Sequence, residues 1–95
     1  MNYYVYILQC SDNSFYTGMT NDFEKRLFEH REGIDPDCYT YSRRPLELRY
    51  IEEYDRPIEA IEREKQIKQW SRKKKMALIE NNYDNLILFS KRKKK

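Results

Sequence analysis

A chain of 95 residues makes one domain, with room for a small sheet and two or three helices but not for a second folding unit. The hydrophobic fraction of 39% is low, while nine tyrosines raise the aromatic fraction to 15%, so part of the core must be built from rings that keep a hydroxyl at a surface or cleft. The formal charge is only +3, yet residues 1–61 hold 7 basic and 12 acidic side chains and residues 62–95 hold 12 and 4, an asymmetry that suits a face for a polyanion and equally a solubility or interaction tail. Two cysteines, Cys10 and Cys38, lack the number and spacing of a disulfide framework or a thiolate metal site and read as reduced intracellular thiols. Without a basic-then-apolar leader or a run approaching about 18 apolar residues, a soluble cytoplasmic protein with no membrane partner is expected. No glycine-rich phosphate loop, HExxH or CxxC is present, so nucleotide hydrolysis and zinc chemistry have no support.

YYVYILQ (residues 3–9) is rich in β-branched and aromatic side chains and predicts a strand. Alternation puts Tyr4, Tyr6 and Leu8 on one face and Tyr3, Val5 and Ile7 on the other, so the strand is apolar on both sides and expected to be central. Ser11–Ser14 is turn chemistry, and Phe15-Tyr16-Thr17 predicts a short partner strand, ended by Gly18 where a side chain is unwelcome. Thr20 or Asn21 is expected to cap the next helix, Asn21 with Glu24 having capping-box spacing, and Gly33 to stop it after about Glu32. Its inner seam reads as Phe23, Leu27 and His30, with Arg26 one turn before His30.

Residues 34–45 read as a loop long enough to be functional or mobile, with Arg43 and Arg44 near its end. LELRYIEEY predicts a third strand with one wetter face. A helix is expected from Asp55-Arg56-Pro57 to about Trp70, with Ala60, Ile61, Ile67 and Trp70 on its apolar side and Glu64 inside that stripe. Ser71 is expected to cap a further short helix in which Met76, Leu78 and Ile79 bury while Arg72 to Lys75 stay in water. Tyr83 to Phe89 are expected to drape over the domain, and residues 91–95 to form a disordered basic tail behind a single domain spanning 1–90.

A carboxylate within an apolar stripe needs a cation, and from spacing alone Glu64 is served equally by Arg26, by Lys68 four residues on, or by a metal ion. His30 reads equally as a satisfied core histidine, and each tyrosine taken singly as a packing residue. Together, however, the residues resemble a known pattern, that of the GIY-YIG nuclease superfamily and in particular its small stand-alone bacterial members. Tyr4-Val5-Tyr6 matches the first half of the signature with tyrosine in place of its glycine, Tyr16-Thr17-Gly18 matches the second half, and Arg26, His30 and Glu64 fall on the helical arginine, the histidine-or-tyrosine position and the metal-binding glutamate. EAIEREKQIKQW, YTYSRRPLELRY and KKKMALIENNYDNL extend the likeness over about residues 3–89. Met76 stands where many active members carry an asparagine.

The resemblance implies an α+β fold, a small three-stranded, mostly antiparallel sheet flanked by helices in the order β-β-α-β-α-α. It implies a metal-dependent endonuclease that hydrolyses DNA phosphodiester bonds with weak sequence specificity or structure selectivity, RNA not being excluded. The alternatives are a nucleic-acid-binding module with little or no cleavage activity, and an interaction or scaffolding protein. One divalent cation, Mg²⁺ or Mn²⁺, would be held by Glu64. Arg26 would neutralise phosphate oxygens, and Tyr6 would be the general base assisted by His30, since a phenol with pKa about 10 needs such help at neutral pH. Tyr16 would orient water or phosphate, or exchange roles with Tyr6. Arg43, Arg44, Lys68, Arg72, Lys73, Lys74 and Lys75 are the candidate contacts to the nucleic-acid backbone, while oligomeric state is not written in the sequence.

Overall fold

A strand with two apolar faces is stable only when both are covered, and the chain satisfies this by placing its first strand at the centre. In the computed structural model, which describes residues 2–80, β1 (Tyr3–Gln9) lies between β2 (Phe15–Thr20) and β3 (Glu47–Tyr54), antiparallel to both. Among the described residues three helices flank the sheet, α1 (Phe23–Glu32), α2 (Pro57–Lys68) and α3 (Arg72–Ile79), with one 3-10 turn at Tyr41–Arg43. The expected α+β order and three-stranded antiparallel sheet are thus observed. The expected segment 83–89 and the basic tail 91–95 lie outside the described residues.

The two faces of β1 divide the work. Val5 and Ile7 are fully buried against Ala60, Ile67, Trp70 and Leu78 of the α2–α3 side, which is the hydrophobic core. On this face β3 contributes Glu52, opposite Val5, whose carboxylate is gripped by Arg63 of α2 at 2.9–3.1 Å and by the Tyr50 and Tyr54 hydroxyls at 2.7 Å each. A carboxylate so enclosed keeps its charge because four donors point at it: burial pushes its pKa up, and the Arg63 and tyrosine hydrogen bonds bring it down below the ordinary value. On the other face Tyr4 and Tyr6 meet α1, with ring centroids 6.0 and 6.2 Å from that of Phe23.

Several local expectations are corrected. Gly18 does not end β2: its backbone pairs with Tyr6, and the strand continues to Thr20 because a missing Cβ leaves the space that the Tyr6 ring fills, an added Cβ lying 2.5 Å from Tyr6 Cζ. The cap of α1 is Asp22 rather than Thr20 or Asn21; its carboxylate accepts from Lys25 N at 3.2 Å, while the Thr20 hydroxyl accepts from Asp22 N and fixes the approach. Gly33, at φ +66°, closes the helix as expected. Ser71 caps α3 by accepting from Lys74 N at 3.2 Å, but Lys74 itself is not in water. Lys74, Ala77 and Leu78 share the inner face at i, i+3 and i+4, so the lysine stem is buried and its ammonium rests 4.3 Å over the Trp70 ring.

Candidate nucleic-acid site

The site lies on the Tyr6 face of the sheet, where β1, β2, α1 and the loop after α1 converge. Helical spacing turns Arg26 and His30 of α1 toward the sheet, and alternation turns Tyr6 and Tyr16 toward them. Tyr6 is 1% exposed and its hydroxyl lies 2.9 Å from His30 Nε2; His30, the single histidine, is 3% exposed and its Nδ1 lies 2.9 Å from Thr40 Oγ1. The Thr40 hydroxyl in turn donates to Cys38 Sγ at 3.5 Å. With the Thr40 proton assigned to sulfur, its oxygen accepts from His30 Nδ1–H, which also lies 3.8 Å from Cys38 Sγ, and the Nε2 lone pair accepts the Tyr6 hydroxyl proton. One directed chain of hydrogen bonds therefore runs Tyr6 to His30 to Thr40 to Cys38.

Electrostatics agree with that polarity. Burial, then the neighbouring Arg26 guanidinium, lowers the His30 pKa to about 4, so the imidazole is neutral at pH 7. Burial, reinforced by Tyr16, pushes the Tyr6 phenol up against the opposing pull of Arg26, and burial pushes Tyr16 up likewise. Burial alone would lower the Arg26 pKa, but its hydrogen bond to Glu29 and the nearby Tyr6 and Tyr16 phenols raise it, so the guanidinium is a fixed charge beside two phenols. The Cys38 thiol is pulled down despite its burial, by hydrogen bonds from Thr40 and by Arg26.

The structure thus brings Tyr6, Tyr16, Arg26 and His30 together: the ring centroids of Tyr16 and His30 are 5.2 Å apart and those of Tyr6 and Tyr16 6.4 Å. Glu64 stands at one remove. Its carboxylate is ion-paired with Lys68 at 3.2 Å, the i,i+4 alternative among those open from spacing, while Arg26 pairs with Glu29 at 3.1 Å. Lys68 acts electrostatically on the Tyr16 phenol, which ties this end of α2 to the β2 side of the site. Among the described residues no three His, Cys, Asp or Glu side chains gather around one point. One carboxylate is a hard oxygen donor of the kind magnesium and manganese take, and an ion held there would replace Lys68 as its counter-charge.

Of the expected backbone contacts, Arg43 reaches the rim of the site over the Tyr39 ring that stacks on Tyr16, while Arg44 lies over Tyr41 and against Gly33. Lys68 is held by Glu64, Arg72 lies 4.4 Å over the Phe15 ring with Nη1 on Asn13 O, Lys73 is exposed, Lys74 is buried and Lys75 half-buried. Thr40, Cys38 and Tyr39 were not singled out by pattern, because they sit in a loop with no period; the loop's length was the one signal that pointed to them.

This constellation has known relatives. The model of the GIY-YIG catalytic domain matches residues 2–77. The chain belongs to the GIY-YIG family. Within it, the chain is similar to the small UPF0213 proteins. One from Syntrophus aciditrophicus is 47% identical over 83 residues, covering 87% of this chain and 95% of that protein. One from Halobacterium salinarum is 46% identical over 77 residues, covering 81% and 99%. Among solved structures, a UPF0213 protein from Bacillus halodurans superposes with a TM-score of 0.56 at 40% identity over 84% of each chain. A protein from E. faecalis superposes with a TM-score of 0.61 at 34% identity over 87% of this chain and 88% of that one. For this GIY-YIG domain, no helix among the described residues is long and apolar enough to cross a membrane.

Proposed function

We propose that this protein binds a nucleic-acid strand through a phosphate received between Arg26 and Tyr16. The observation that carries this reading is the Arg26 guanidinium itself. It is paired with one carboxylate, Glu29, lies close enough to the Tyr6 and Tyr16 phenols to act on them electrostatically, remains charged at any working pH, and keeps part of its side chain at the surface beside a half-buried tyrosine. A phosphodiester offers the acceptor oxygens that this group can take, and Arg43 at the rim adds charge of the same sign.

Hydrolysis of the bound phosphodiester is the second reading, and the directed chain from Tyr6 to Cys38 favours it. A phenol whose proton already points at a neutral imidazole can accept a proton from an attacking water on its oxygen while passing its own to His30 Nε2. Burial keeps both groups neutral at rest, so the two transfers are concerted and no phenolate is stored. Tyr16, less buried than Tyr6, would orient the water or the phosphate, and Arg26 would neutralise the charge that builds on the phosphoryl oxygens. A divalent cation at Glu64 would supply neutralisation of the departing 3′-oxygen.

Binding is tested by fluorescence anisotropy of labelled DNA and RNA strands in EDTA; Arg26→Gln should weaken it at least tenfold, and unchanged affinity would remove the phosphate reading. Cleavage is tested by adding Mg²⁺ or Mn²⁺. Glu64→Gln is expected to abolish it with binding in EDTA retained, since an amide is a poor magnesium ligand. Equal cleavage by the variant would take Glu64 out of the mechanism, and no metal-dependent cleavage by the native protein on single-stranded, duplex, flap or branched substrates would leave binding as the function.

A further inference from the structure

We propose that Tyr39 to Arg44 form a stacking platform for an unpaired base of a single-stranded nucleic acid, adjacent to the phosphate held at Arg26. The proposal rests on the phosphate-binding reading above and names the substrate class. A row of flat groups leads from the centre of the site to its rim. The Tyr16 ring stands edge-on to His30, Tyr39 stacks on Tyr16 with centroids 6.2 Å apart and planes 18° from parallel, and the Arg43 guanidinium carbon lies 3.8 Å over the Tyr39 ring. A second pair follows at once, Arg44 lying 4.9 Å over the ring of Tyr41. Tyr39 and Tyr41 are 43% and 38% exposed, so both rings are open to a partner.

The hydrogen bonds of the two arginines explain what the platform is for. Arg43 directs Nε at Asp12 Oδ2, 3.2 Å away, and Nη1 at the Tyr39 carbonyl, 2.8 Å away, while its own carbonyl accepts from Ser11 N at 2.8 Å. Arg44 Nε donates to the Tyr41 carbonyl at 2.9 Å. Arg43 Nε and Nη1 and Arg44 Nε are thus spent on acceptors of the protein itself, and the Arg43 bonds pin the loop to the β1–β2 turn. What Arg43, its side chain 34% exposed, offers outward is a flat guanidinium face seated on Tyr39, while Arg44 is packed between Tyr41 and Gly33 and steadies the loop. Guanidinium and phenol planes stack on nucleobases whatever the sequence. Within a duplex each base face is covered by its neighbours, so this platform can be met only by a base that is unpaired or at a strand end. A protein partner would need none of the planarity that the Tyr39–Arg43 pair maintains.

The experiment compares, by anisotropy in EDTA, a mixed-sequence single strand, an abasic strand of equal length and charge, and a closed hairpin duplex. Base stacking being worth about 1–3 kcal/mol per base, the native protein should prefer the base-bearing strand over the abasic one by about tenfold. It should prefer it over the duplex as well. Arg43→Lys keeps the charge and loses the plane; Tyr39→Leu keeps apolar bulk and loses the ring. Each should bring the base-bearing to abasic ratio toward one, and the first leaves the Tyr39 ring in place should the second perturb the loop. A native ratio of one, or a ratio that survives both substitutions, would overturn the proposal while leaving phosphate binding intact. If the abasic strand does not bind, or binds indifferently to Arg26→Gln, the phosphate reading fails first and the platform with it.

Discussion

Acidification should destabilise this protein through one identifiable group. His30 is buried and neutral, its pKa lowered from the ordinary 6.5 to about 4 by burial and by Arg26. Between those two values the unfolded chain binds a proton that the folded chain refuses, so stability rises with pH across that window and is lost as pH falls from about 6.5 toward 4. The whole displacement corresponds to about 3 kcal/mol. A protein with a single histidine allows this to be read directly, by NMR titration of the imidazole. Urea unfolding at pH 4 to 7, run on the native protein and on His30→Gln, isolates the effect from carboxylates such as Glu52. Burial works against the lowered Glu52 pKa and the Arg63 bond produces it, so the stability Glu52 contributes is lost as pH falls below the ordinary carboxylate range. An imidazole that titrates near 6.5, or equal pH slopes in the two proteins, would refute the picture of a buried neutral acceptor for Tyr6.

Thr40→Val removes the acceptor of the His30 Nδ1 proton; ¹⁵N shifts of the imidazole should move from a single Nδ1–H tautomer toward a mixture, Thr40→Ser should restore it, and a native Nε2–H tautomer would reverse the assigned direction. Gly18→Ala sets a methyl group 2.5 Å from Tyr6 Cζ and 3.0 Å from Tyr16 Cε2, and should cost about 1–3 kcal/mol by overpacking. An unchanged melting temperature would show that the two rings yield freely. Glu52→Gln leaves Arg63 without its counter-ion and should destabilise toward the lower end of roughly 3–5 kcal/mol, because neither side chain is fully enclosed; a loss below about 1 kcal/mol would mean that water already shares the pair.

Interactions a few residues apart were legible in the sequence. The two apolar faces of residues 3–9 dictate a central strand, Gly33 a helix end at positive φ and Ser71 a cap, because each depends on backbone geometry that neighbours set, while the i,i+4 spacing of Glu64 and Lys68 offered their ion pair as one of three alternatives. The site as a whole could be anticipated only through the order of its residues, matched to a known pattern. What the tertiary structure alone decided are the contacts made by chain segments without period. Thr40 reaches His30 because the loop after α1 folds back over the helix, and Tyr39 finds Tyr16 because the Arg43 carbonyl ties that loop to Ser11 across 32 positions. Lys74 lies under the domain because the register of α3 against Trp70 leaves it no outward path. A loop's composition says that it turns, but the surface it lands on is fixed by packing and by hydrogen bonds between distant residues, and neither is encoded in any local run of the sequence.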